Sequence, residues 1–166
     1  MRLESLQDLY LEELHDLYDA ERQGLKILPK MMEAASSTGL RNALRDHLGQ
    51  TENQIRRLET ILEGLGESPG RRKCLAMKGL VKEAEQNLGG DAALMVRDAA
   101  LIAATQKIEH YEIASYGCVR TYAQVLGHQE AARLLQETLD EEEAADRGLT
   151  EMAEWTINQR AAEAAA

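Results

Sequence analysis

The chain has 166 residues, the size of one ordinary domain, and is long enough to bury a core without disulfide or metal staples. A formal charge of −10 argues against nucleic acid as a direct partner, because phosphate binding depends on clustered Lys and Arg, whereas the same sign attracts metal cations. Ala, Leu, Glu, Arg and Gln dominate, β-branched residues are few and Phe is absent, which predicts an all-α fold with an aliphatic core.

The N-terminal stretch MRLESLQDLYLEELHDLY alternates charge and leucine. It has neither the apolar region of a signal peptide nor the Arg-rich, acid-poor look of a transit peptide, and no run reaches the length of a membrane span. The expectation by elimination is a cytoplasmic protein without membrane contact. The first long helix is predicted from about Leu3 to Ser36, with Leu6, Tyr10, Leu14, Leu17, Leu25, Leu28 and Met32 on one broad face. Pro29 lies inside it, so a kink or a break is expected there. Ser36-Ser37-Thr38-Gly39 is the first punctuation, and a second helix covers roughly Leu40 to Leu65, ended by Gly64, Gly66 and Ser68-Pro69-Gly70.

A shorter helix is predicted from Arg71 to about Asn87, with Cys74, Met77, Leu80 and Val81 on one side. Gly89-Gly90-Asp91 stops it, and Asp91 is placed as the N-cap of the next helix. The third long helix runs from about Ala92 to Leu126 and is closed by Gly127. The fourth runs from His128 to roughly Asn158, ahead of an Ala-rich tail over 159–166 that is expected to fray. Short turns within each pair predict two antiparallel hairpins, and the crossover over about 67–90 sets the third helix parallel to the second. That is ferritin-like connectivity, in a single domain spanning the chain. Cys74 and Cys118 lie far apart with no CxxC, so reduced thiols packed as small hydrophobes are expected.

Polar residues interrupt the apolar stripes at corresponding heights. Leu14, Glu21 and Leu28 are heptad-spaced, which aims Glu21 at the core. Leu40, Leu44, His47, Thr51, Gln54, Leu58, Ile61 and Leu65 form a three-four repeat whose middle members are polar. Ile102, Glu109 and Tyr116 share a stripe, with Glu112 one turn beyond Glu109; Tyr116, one turn from Glu112, is placed as a hydrogen-bond partner behind the ligands. Leu135, Glu142, Leu149 and Thr156 form another stripe, and Asp146 follows Glu142 by four residues. A buried ionised carboxylate is costly unless paired or bound to metal. Carboxylates and an imidazole converging from four helices suit iron or manganese, with no thiolate needed. The usual di-iron arrangement supplies Glu-x-x-His from two helices; here Glu109-x-x-Glu112 and His47-x-x-Gln50 stand instead. A lone Glu in an apolar stripe more often snorkels to water, and Glu141-Glu142-Glu143 alone reads as a solvated run. His15 is assigned to the outer face of its helix. His110 and His128 fall outside the stripes. No serine or cysteine nucleophile has an ordered His–acid arrangement beside it, and no glycine-rich phosphate loop occurs.

Asp19-Ala20-Glu21-Arg22-Gln23, Cys74-Leu75-Ala76-Met77-Lys78-Gly79-Leu80, Arg97-Asp98-Ala99-Ala100-Leu101-Ile102-Ala103-Ala104, Glu109-His110-Tyr111-Glu112-Ile113-Ala114-Ser115-Tyr116-Gly117 and Thr138-Leu139-Asp140-Glu141-Glu142 resemble the bacterial YciF/YciE-like stress proteins, as do His47-Leu48 with Thr51 and Gln54-Ile55. The resemblance covers nearly the whole chain. It implies a ferritin-like bundle, a homodimer, a stress-associated role and a di-metal centre. Carried over by position, the family's ligands fall on Glu21, His47, Glu109, Glu112, Glu142 and Asp146. The family commonly has Glu where this chain has Gln50, a poorer ligand for Fe(III). The expected cofactor is one or two iron ions, with manganese or zinc as alternatives, and the expected chemistry is reduction of O2 or peroxide by Fe(II). The rival reading is a metal-free helical dimer, a stress-associated interaction module whose buried acids are satisfied by Arg, Lys, Tyr and one another.

Overall fold

The computed structural model describes residues 3–70, 72–89 and 92–163. The regular elements among them are helical: α1 (Leu6–Ala34), α2 (Thr38–Gly64), α3 (Leu75–Gln86), α4 (Leu94–Val125), α5 (Gln129–Met152), a π-helical turn at Ala153–Ile157, and α6 (Asn158–Glu163). Arg71, the proposed cap Asp91 and the last three alanines lie outside the described residues. Winding continues to Glu163, past the point where fraying is expected, because Ala153 and Ile157 are buried and anchor the π turn.

The sequence explains the helix ends. The Ser5 hydroxyl accepts from the Asp8 amide at the start of α1. α2 and α4 end in the same motif. Gly66 (φ 75°) and Gly127 (φ 82°) take the left-handed conformation that glycine tolerates best. The following amides of Glu67 and His128 then reach back to the carbonyls of Leu62 and Ala123, at 2.9 and 2.8 Å. Pro29 does not break α1. Ile27, Leu28 and Met31 are buried on both sides of it, so core packing holds the turn that the missing N–H weakens.

The long helices contact one another around a square in the order α1, α2, α5, α4. The core divides into two apolar clusters along the bundle. One contains Tyr10, Leu14 and Leu17 of α1, Leu58 and Leu62 of α2, Tyr116 and Val119 of α4, and Leu135 of α5. The other contains Ile27 and Met31, then Leu40 and Leu44, then Leu101 and Ile108, then Leu149. Reading each helix from one cluster to the other gives its direction: α2 and α4 run together, opposite to α1 and α5. The connection after α2 therefore returns the chain to the other end of the bundle, as the crossover predicted.

Carboxylates fasten that crossover. Asp16 accepts from Arg72 Nε at 2.9 Å and from the Tyr111 hydroxyl at 2.6 Å, while Glu12 accepts from Arg72 Nη1 at 2.6 Å. Asp19 accepts from the Cys74 amide at 2.9 Å, Lys73 at 2.9 Å and Gln23 at 2.7 Å. His15 is buried, not on the outer face as expected, and lies 3.8 Å from Glu67. The start of the crossover covers it. Asp98, wholly buried, accepts from both Ser36 groups and the Ser37 amide at 2.7–2.8 Å and so fixes the α1–α2 turn. Both cysteines are free; Cys74 is buried but Cys118 is exposed, so only the first packs as a small hydrophobe. Among the described residues no helix is long and apolar enough to cross a membrane.

Candidate metal centre

The plane between the two apolar clusters is polar. Glu21 of α1, His47, Thr51 and Gln54 of α2, Glu109 and Glu112 of α4, and Glu142 of α5 fill it, all of them buried. A fully buried Leu contributes about 1.5–3 kcal/mol, whereas a buried ion carries a penalty of several kcal/mol. The band is therefore held against stability, and the apolar layers on either side supply what it lacks.

His47, Glu109, Glu112 and Glu142 each direct one ligand atom to a common point, all within 4.8 Å of one another. His47 Nε2 lies 3.3 Å from Glu109 Oε1 and 4.0 Å from Glu142 Oε2. Its Nδ1 is 3.4 Å from Gln50 Oε1. A proton on Nδ1 shared with that amide leaves the Nε2 lone pair facing the carboxylates, the tautomer a metal ligand needs. Gln50 thus orients His47, a role the spacing did not reveal.

Glu21 is outside that group of four. Its Oε1 accepts from the Tyr116 hydroxyl at 2.6 Å, so Tyr116 is a hydrogen-bond partner of the band, as its spacing suggests, and Glu21 is the carboxylate it serves. It remains near enough for its charge to act on Glu109 and Glu112. Asp146 is turned away: Gln106 donates to it at 3.0 Å and the exposed His110 lies 3.4 Å from it. His128 stacks on Tyr10 far along the bundle, with ring centroids 5.7 Å apart. Glu141 is not a solvated member of an acidic run. Arg57 grips both its oxygens at 2.7 Å, and the Gln54 amide donates to Glu141 at 3.1 Å and also to Glu142 Oε1. This chain of contacts holds Glu142 from the bundle surface inward. Position gave a hint, since Gln54 is one heptad after His47, but its bond to Glu142 depends on α5.

Burial, then the charge of Glu142, pushes Glu21 well above the usual carboxylate range, opposed by the Tyr116 hydrogen bond. Burial likewise raises Glu109, reinforced by the adjoining Glu142 carboxyl and by the charges of Glu112 and Glu21. Burial also raises Glu112, with Glu21 and Glu142 adding to the effect. The hydroxyl of Tyr116 is pushed up by burial and by Glu21.

The donor set fits a cation. Both oxygens of Glu109, Oε2 of Glu142 and Oε1 of Gln54 are buried with no hydrogen-bond partner. Native structures leave few such atoms, and four in one band are acceptors without a donor. Carboxylate oxygens with an imidazole nitrogen match iron and manganese chemistry.

Relatives agree with the fold. The chain is 43% identical to Protein YciF of Escherichia coli (strain K12) over 162 residues, covering 97% of this chain and 98% of that one. The crystal structure of that stress protein superposes with a TM-score of 0.90, covering 94% of this chain and 99% of it. YcfI of Rhodopseudomonas palustris, also 43% identical, gives 0.85 over 89% of this chain and 94% of that one. XCC3681 of Xanthomonas campestris, at 22% identity, shares the fold with a TM-score of 0.79, over 96% of this chain and 97% of that one. A family model described as a domain of unknown function, DUF892, matches residues 5–162. The chain belongs to this family, that of the YciF-like bacterial stress proteins.

Proposed function

We propose that this protein is a ferritin-like metalloprotein of the bacterial stress response, acting in the cytoplasm and binding one or two transition-metal ions, iron first. His47, Glu109, Glu112 and Glu142 hold the ion or ions, with Glu21 within reach of a second. The observation that carries the reading is the set of buried acceptor oxygens on Glu109 and Glu142 without a donor. Charge balance favours two ions. Glu21, Glu109, Glu112 and Glu142 together carry four negative charges when ionised, which two divalent cations neutralise inside the low-dielectric band.

Iron bound there supplies Lewis-acid and one-electron redox chemistry toward O2 or peroxide. The protein's own part is to keep the site dry between two aliphatic layers and to aim the ligands. Gln50 sets the His47 tautomer, Tyr116 fixes Glu21, and Arg57 with Glu141 and Gln54 fixes Glu142. Asp146, bound to Gln106, is a contact of the α4–α5 seam in this reading. A homodimer is part of the proposal and is checked by light scattering.

The direct test is elemental analysis of protein purified without chelator, followed by thermal unfolding with anaerobic Fe(II). We expect stoichiometric Fe or Mn and a metal-dependent rise in Tm. Both should be lost in Glu109→Ala and Glu142→Ala and kept in Glu143→Ala, whose side chain is exposed. Glu141→Ala is an unsuitable control because Glu141 positions Glu142 through Gln54. Protein that purifies without Fe, Mn or Zn and is not stabilised by Fe(II) overturns the proposal in favour of a metal-free module.

A further inference from the structure

A cleft of about 280 Å³ opens between α2 and α5 and ends at the candidate centre, with His47 and Glu109 on its inner wall. Its sides are apolar: Leu44 from α2, Leu149 and Met152 from α5, with Ala43, Ala145 and Gly148 keeping the gap wide. The polar groups at its inner end are Gln50, His47, Thr105 and the unpartnered carboxylate of Glu109. No Lys or Arg lines it, and Asp46 does. In the metal-free protein an anion therefore meets the carboxylates of Asp46 and Glu109 with no Lys or Arg to receive it.

Gly148 lines the cleft from α5. It sits inside α5 with φ outside the left-handed region, and a Cβ placed on it meets nothing within 4 Å. Neither backbone nor packing requires glycine here, and glycine weakens a helix interior relative to Ala. Like Gly24, Gly49, Gly79 and Gly117 it has open space at the Cβ position, and here that space belongs to the cleft.

We propose that this cleft binds a small uncharged organic molecule bearing one hydroxyl or hydroperoxyl group. The apolar body lies against Leu44, Leu149 and Met152, and the O–H points to His47 and Glu109, where the orphan carboxylate oxygens accept it. The inference deepens the metal-centre reading and rests on it for the fate of the bound molecule, not for the binding.

The test uses metal-free full-length protein with ¹³C-methyl methionine and the unreactive probe 2-phenyl-2-propanol. A saturable shift of the Met152 methyl resonance is expected, with a dissociation constant on the order of 1 mM for a ligand of this size. The methyl of Met77, buried on α3 and outside the cleft lining, stays in place. Gly148→Leu fills the cleft from α5 and Ala43→Leu from α2; each should weaken binding at least tenfold while circular dichroism stays native. The anion 2-phenylpropanoate should bind at least tenfold more weakly than the alcohol. A wild-type titration without saturation, or two folded variants that bind as well as wild type, overturns the inference. So does equal affinity for the anion. Because metal content is measured separately, loss of the cleft proposal leaves the metal reading standing, and the reverse holds too.

Discussion

Replacing Glu109 by glutamine should stabilise the metal-free protein and destabilise the metal-loaded one. Glu109 is wholly buried, both oxygens lack a donor, and burial with the charges around it raises its carboxyl well above the ordinary value. A raised folded value contributes stability that is complete below the unfolded carboxyl's pKa of about 4.3 and is lost as pH rises through the folded value. In that interval the folded state holds a proton the unfolded state has released, so each pH unit removes about 1.4 kcal/mol. The amide that replaces the carboxyl carries no proton to lose, and its NH2 can donate to Glu142 Oε2, which has no partner. Over two pH units inside the interval, the variant should therefore gain about 2.7 kcal/mol on wild type. Thermal and urea unfolding from pH 5 to 8 in chelator should show the two curves diverging as pH rises, by roughly 2–4 °C of Tm per kcal/mol. With divalent metal at about a hundredfold its dissociation constant, wild type should gain about 2.7 kcal/mol and the variant little, reversing their order. A destabilisation of the metal-free variant that is the same at every pH would refute this account of the band.

Three further outcomes follow from the geometry. Tyr116→Phe frees Glu21 from its 2.6 Å hydrogen bond, so affinity for a second Co(II) or Mn(II) should fall about 10–100-fold in a calorimetric titration while the first site changes less. Asp98→Ala leaves three donors of the α1–α2 turn without an acceptor and should cost about 3 kcal/mol in urea unfolding, with metal stoichiometry unchanged. An aromatic disulfide reagent at pH 8 should label exposed Cys118 within minutes and Cys74 only on unfolding, since burial pushes the Cys74 thiol up to about 11.

The bundle was legible because its punctuation is local. Gly66 and Gly127 each close a helix with bonds confined to six residues, and the long link after α2 implies a crossover by its length alone. The outer face of α1 was not legible, because what covers it comes from elsewhere in the chain. His15 reads as an outer-face residue and spacing singles out neither Asp16 nor Asp19, yet Glu67, Arg72, Lys73 and the Cys74 amide meet these three from the crossover. Helical spacing gives which residues share a face and says nothing of which partner arrives. Asp146 shows the same limit at finer scale. Four residues after Glu142 amounts to about 40° of rotation, which is enough at the edge of the α4–α5 contact to turn it to Gln106 and His110. Glu112, three residues from Glu109, stays inside because α4 is packed by α1, α3 and α5.

The sequence also could not distinguish a carboxylate buried for structure from one buried for a ligand. This protein buries acids with a full set of donors, such as Asp98, and one without, Glu109. Asp98 has three donors on its two oxygens, and Asp16 and Asp19 have backbone, hydroxyl and cationic donors within 2.9 Å. Each serves to fasten a turn or the crossover, and the chain supplies donors wherever fastening is the purpose. Glu109 sits at the same depth with neither oxygen in a hydrogen bond, its Oε1 3.3 Å from His47 Nε2 and near an unpartnered oxygen of Glu142. Desolvation alone opposes that arrangement, and a neutral side chain at position 109 would relieve it. Its contrast with the fully satisfied carboxylates is what supports the proposed partner from outside the polypeptide. The ion we propose would sit among ligand atoms within 4.8 Å of one another and would be reached from the α2–α5 cleft.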